Sequence, residues 1–201
     1  MADRDPAPGP EPSQGSSPAG PGRAVARLAA AGLLALAVFA ALFAFGRNHT
    51  PDYTQTLFGN SGTDAVALKA QLATGILSLA LLQLALALWM YRRLPLVRSV
   101  PRAVPWSHRV LGLLLFAATV PVAVHCLLAY GVQLSTPRVA IHAVAGCLFY
   151  GAFAAKVLLV HSRRLPGWAL PVAGGLLLLC VGALWYTAAL WYFNDYRLPG
   201  S

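Results

Sequence analysis

The chain has 201 residues, is 58% hydrophobic and is only 10% charged, against about 25% charged in an ordinary soluble domain. That balance excludes a water-soluble globule with a conventional charged surface. The net charge of +9 is carried mostly by arginines that flank apolar runs, where membrane orientation and anionic lipid account for them, and nucleic acid is excluded as a partner.

Residues 1–22, "MADRDPAPGPEPSQGSSPAGPG", hold too little apolar surface to offset the entropy of ordering them and read as a disordered cytoplasmic tail. The first apolar run comes late and is long, with no small-residue cleavage site after it, so it reads as an uncleaved span. About 20 apolar residues are needed to cross a bilayer. Five segments qualify, at about 24–45, 65–91, 106–130, 139–160 and 168–193. The expected fold class is therefore all-α, a polytopic bundle of five membrane helices over 23–194, followed by a short outer tail, 195–201.

Charge sets the orientation. Arg4, Arg23, Arg27, Arg92, Arg93, Arg98, Arg102, Arg109, Arg163 and Arg164 fall on one side, and only Arg47, Lys69, Arg138 and Arg197 on the other. The positive-inside rule then places the N-terminus in the cytoplasm and the C-terminus outside a cell membrane. Lys69 reads as snorkelling outward at the start of the second span, and Tyr130, Trp191 and Tyr192 as an outer aromatic belt. The short loop "GVQLSTPR" makes spans three and four antiparallel neighbours. The outer segment 46–64 is rich in turn residues, and "YTQTLF" within it reads as a short interfacial piece. Cys126, Cys147 and Cys180 lie inside apolar runs and read as small hydrophobes.

The informative residues are histidines. His108 opens span three and His125 lies near its end; His142 opens span four and His161 closes it. In an antiparallel pair, His125 and His142 share the outer level, and His108 and His161 the inner level. The separations of 17 and 19 residues correspond to about 26 and 29 Å of helix, room for one haem in each leaflet. Both spans continue as H-x-x-x-G, placing Gly112 and Gly146 one turn along the ligand's face. Such small residues make space for a macrocycle, or serve simply to pack helices. Arg109, Arg163 and Arg164 near the inner pair, and Arg138 one turn before His142, suit anionic propionates. Lys156 reads as snorkelling to the inner end. The alternative is that His108 and His161 are wetted residues at span edges. Ionisable groups inside a span are functional hypotheses by default, which applies best to His125 and His142.

Through His108, His125, His142, His161 and the pieces "HRVLG" and "HAVAG", spans three and four resemble membrane b-type cytochromes of the di-haem and ferric-reductase-like class. That resemblance implies haem b, one or two groups, held by paired axial histidines, and electron transfer to a redox partner protein or a quinone. The segments "PDYTQTLFG" and "RRLPGWALPVAGG" are also similar to a family of actinobacterial multi-span proteins without assigned function, which implies architecture only. The competing expectation is an accessory membrane subunit without cofactor. A small-solute transporter is disfavoured because no acidic residue lies between positions 65 and 194 to couple ions.

Overall fold

The computed structural model describes residues 21–95, 99–162 and 165–198. The tail before residue 21, Arg98, Arg163 and Arg164 lie outside these residues. Five long helices follow one another: α1 (Pro21–Asn48), α2 (Gly62–Met90), α3 (Ala103–Ala129), α4 (Pro137–Val160) and α5 (Ala169–Trp185). A π-helical segment, Tyr186–Leu190, prolongs α5 into a last turn, α6 (Trp191–Phe193). No strand occurs among the described residues. The five helices are long and apolar enough to cross a membrane, so the all-α, five-span expectation holds and the chain is a multi-pass membrane protein. Lipid-facing helices are the natural outcome, because each satisfies its own backbone polar groups.

Helix α1 packs on α4, α4 on α5, α5 on α2, and α2 on α3. The α1–α4 contact is backbone to backbone. A β-carbon at Gly151 would run into the carbonyl oxygen of Ala35, so glycine there permits the approach, as small residues do between membrane helices. The mid-bundle core comprises Ile76, Ala80, Leu115, Phe149, Cys180 and Val181. The three cysteines are free thiols.

Helices α3 and α4 are neighbours, but through side chains and not through close backbone packing. They are joined by a short loop but are not among the closely packed helix pairs. They meet instead through side chains. Phe116 stacks on Phe153 with centroids 3.8 Å apart, and the Tyr150 hydroxyl donates to Thr119 at 3.0 Å. Aromatic rings at the contact hold the two backbones apart and leave space above them.

That space lies toward the end of the bundle carrying the loop between α1 and α2. Leu57 is buried in that loop, and Leu57 and Asn60 exchange backbone hydrogen bonds. Gly131, at φ +64°, lets the α3–α4 loop press against Gly46, and Val132 N–H donates to the Gly46 carbonyl at 2.8 Å. A side chain on Gly131 would be both strained and blocked. We expect Gly151→Val to lower stability by about 1–3 kcal/mol through overpacking. Gly32→Ala, where a β-carbon meets nothing within 4 Å, should leave it unchanged. Thermal unfolding in detergent compares the two.

Candidate functional site

Helix α4 begins where its sequence tells it to. Thr136 caps it by accepting from the Val139 N–H at 3.3 Å, and Pro137 occupies the first turn, a favoured start. This start puts Arg138 at the end of the bundle and His142 one turn deeper. Opposite stands Thr187, in the π-helical segment and 1% exposed.

The His142–Thr187 contact has a determined polarity. Thr187 Oγ1 lies 2.6 Å from the carbonyl oxygen of Ala183, which can only accept, so the hydroxyl proton is spent there. Toward His142 Nδ1, 3.0 Å away, the same oxygen must accept. A neutral His142 therefore carries its proton on Nδ1, and Nε2 presents a bare lone pair. Thr187 is held in turn by Arg138, which donates to its main-chain carbonyl at 2.9 Å while lying over the Trp191 ring at 3.7 Å. π-Helical turns occur disproportionately at functional sites.

His142 lines a cavity of about 530 Å³ between α2, α3, α4 and α5, within the range of sites for cofactors and drug-sized ligands. Its walls are mostly apolar. Ala70, Ala73 and Ile76 come from α2, and Val122, Ala123, Cys126 and Leu127 from α3. Gly146 lies one turn below His142 on the same wall. Polar groups gather at the rim: Lys69, Tyr130, Gln133, Ser135 and Arg138. Lys69 sits 4.4 Å above the Tyr130 ring and donates to the Tyr130 hydroxyl at 3.3 Å.

The other expected residues fall elsewhere. His125 is 5% exposed but is not on the cavity wall. Its Nε2 donates to the Gln55 carbonyl at 3.3 Å, and its Nδ1 is buried with no hydrogen-bond partner. His125 and His142 are thus at one end of the bundle without sharing the cavity. His49 beside them donates from Nε2 to the Leu128 carbonyl at 3.0 Å. His108 and His161, toward the other end, do not form a matching site. His161 is exposed and bonded through Nδ1 to its own helix at Val157. His108 is half-buried with an unpartnered Nδ1. Gly112 faces Gln83, whose amide donates to the His108 carbonyl at 2.9 Å. The stacked Phe116 and Phe153 fill part of the space between α3 and α4 toward that end. Lys156 lies over Gly174 of α5. Among the described residues no cluster of three or more His, Cys, Asp or Glu could hold a bare metal ion.

Thr187 was not visible as a site residue in the sequence. Its only signal is that it is the lone threonine in "ALWYTAALWYF", at a level that an antiparallel α5 shares with His142. Lys69 reads outward from the sequence, whereas in the fold it stands on the cavity rim.

Above His125, the loop is organised by Asp52. Its carboxylate accepts from the Thr54 hydroxyl at 2.6 Å, the Gln55 amide at 2.6 Å and the Thr54 N–H at 3.0 Å. These hydrogen bonds, the Thr54 hydroxyl first, hold its pKa below the ordinary carboxylate value of 3.8.

Residues 28–200 match the model of a family of unknown function, DUF6529. No curated protein and no solved structure matches the chain.

Two measurements follow from this geometry. A carboxylate with a lowered folded pKa contributes stability that is complete above the unfolded pKa and lost as pH falls through the folded one. Hydrogen-exchange protection of Gln55 and Leu57, corrected for intrinsic rates, should fall as pH drops below about 3.8, and Asp52→Asn should remove that dependence. For the second, ¹⁵N spectra of the His142 ring should show the Nδ1–H tautomer in the native chain and in Thr187→Ser, and a mixture in Thr187→Val.

Proposed function

The chain belongs to that family of unknown function, and we propose that it is a b-type cytochrome-like electron carrier of the cell membrane, with one haem in the cavity beside His142. The observation that carries this reading is the bare Nε2 of His142, fixed by Thr187 and set in the wall of an apolar cavity. Imidazole ligands of metals characteristically donate their second N–H to a neighbouring acceptor, which sets the tautomer and raises ligand basicity. Here Thr187 Oγ1 is that acceptor.

The residues present fit such a group at one end of the bundle. The cavity is mostly apolar, its rim is cationic, and Gly146 leaves room beside the ligand. They do not fit a second group at the other end, where His161 faces away and aromatic rings fill space. The reading is thus one haem, not two. His125 is off the cavity wall; its Nε2–H is held by Gln55 and its free lone pair is on Nδ1, so it can join as a second imidazole only if that ring turns toward the cavity. An unsatisfied buried acceptor costs about 1–3 kcal/mol, which lowers the barrier to such a change.

Bound haem would supply the one-electron chemistry. The chain's contribution is to hold His142 in one tautomer, to exclude water with the walls of α2 to α5, and to present cations at the rim. It carries no flavin or nicotinamide motif, so electrons would come from and go to a redox partner protein or a quinone.

The test is a dithionite-reduced minus oxidised spectrum of protein purified from cells supplied with haem. Soret and alpha bands are expected, lost in His142→Ala. His125→Ala should retain haem and become reactive to carbon monoxide; a spectrum unchanged from the native one would leave His142 as the single ligand. Absence of both bands from the native protein would overturn the proposal in favour of an accessory subunit without cofactor.

A further inference from the structure

The cavity has charge of one sign only. Lys69 and Arg138 both line it, from the N-terminal parts of α2 and α4. Their polar partners among the described residues are neutral: the Tyr130 hydroxyl and ring for Lys69, the Thr187 carbonyl and the Trp191 ring for Arg138. The nearby acids do not serve. Asp52 spends its oxygens on Thr54 and Gln55, and Asp64 and Asp195 are exposed on the surface. No acid exists between positions 65 and 194.

Helix stability does not explain Arg138. The N-terminal end of a helix is its positive end, so a basic residue there is disfavoured, and an acid is favoured. Arg138 stands in the first turn of α4, which contains no acid. The Lys69 and Arg138 side chains are both half-buried. Cations taken partly out of water and left without a counter-charge are costly unless an anion comes to them. Aromatic faces supply part of that compensation, and they also hold both cations at the rim.

We infer that the cavity's occupant carries an acid group, a carboxylate or a phosphate, that is bound at the rim between Lys69 and Arg138 while its apolar body lies against His142 and the α2–α5 walls. This deepens the reading of the cavity as a haem site, and for haem it means both propionates point toward the loop end. The recognised chemistry is an anionic head on an apolar body. Haem propionates and the phosphate of a membrane lipid are the two sources of it. Ser135 and Gln133 on the same rim add neutral donors.

The experiment compares haem with its dimethyl ester, which has the same ring and iron but no charge at the propionates. Native protein, Lys69→Gln, Lys69→Arg and Arg138→Gln are each titrated by absorbance after size-exclusion chromatography confirms folding. Native protein should bind the ester about tenfold or more weakly than haem, the scale of one lost charge-assisted hydrogen bond. Lys69→Gln should narrow that gap, Lys69→Arg should restore it, and Arg138→Gln should narrow it further if folded. Haem and ester bound equally by native protein would overturn the inference and leave the haem reading standing. Binding of neither would overturn the haem reading, and the same samples then go to native mass spectrometry from vesicles containing phosphatidylglycerol. One phospholipid retained by native protein and lost in Lys69→Gln would support the acid-group site with lipid as its source. Retention that is equal in both, or absent from both, would overturn it.

Discussion

The stacked rings of Phe116 and Phe153 keep α3 and α4 a side chain's width apart, and the loop end of the bundle is shaped by that separation. The backbone packing that holds the protein together runs elsewhere, through α1–α4, α4–α5, α5–α2 and α2–α3. Were α3 and α4 in close backbone contact, the space between their faces would be filled and His142 would be an ordinary packed residue. Tyr150, bonded to Thr119, adds a polar brace just where the cavity has its floor. The clasp of Gly46 with Gly131 and Val132 closes the other limit of the opening.

Electrostatics at this end obey a simple economy of acceptors. Around Thr187 the hydrogen-bond acceptors are two carbonyls and one hydroxyl, and each is committed. Ala183 takes the Thr187 proton, Thr187 Oγ1 takes that of His142, and the Thr187 carbonyl takes Arg138. Each link fixes the next, so the orientation of the imidazole depends on backbone geometry two residues into a π-helical segment. Low local dielectric strengthens such chains when every member is satisfied and penalises them when one is missing.

Much of the architecture was legible in the residues. The five apolar runs and the level of His142 follow from length, composition and local propensity. What could not be read was which side of each helix faces inward. An apolar helix in lipid has hydrophobic residues all round, so periodicity carries little information about its buried face. This is why His125 and His142, which share one level of the bundle, part company in the fold: Cys126 and Val122 reach the cavity while His125 turns beneath the loop. The short α3–α4 connection suggested contact because short loops usually join packed neighbours, and bulky rings at positions 116, 150 and 153 make that contact one of side chains, not of backbones. Thr187 was hidden for another reason. Its role depends on the π-helical register, which has no composition signal.

The order in which the walls appear has a consequence for biosynthesis. Helix α1 is the most apolar of the five spans and has the least buried surface, so it can rest in lipid alone until α4, its packing partner, emerges. The chain is made from its N-terminus, and α5 with Thr187 is therefore the last wall to enter the bilayer. Until it does, the His142 ring has no partner to choose its tautomer and the cavity stands open on one side. A bulky occupant has its easiest path of entry during that interval, before the final helix closes the bundle around it.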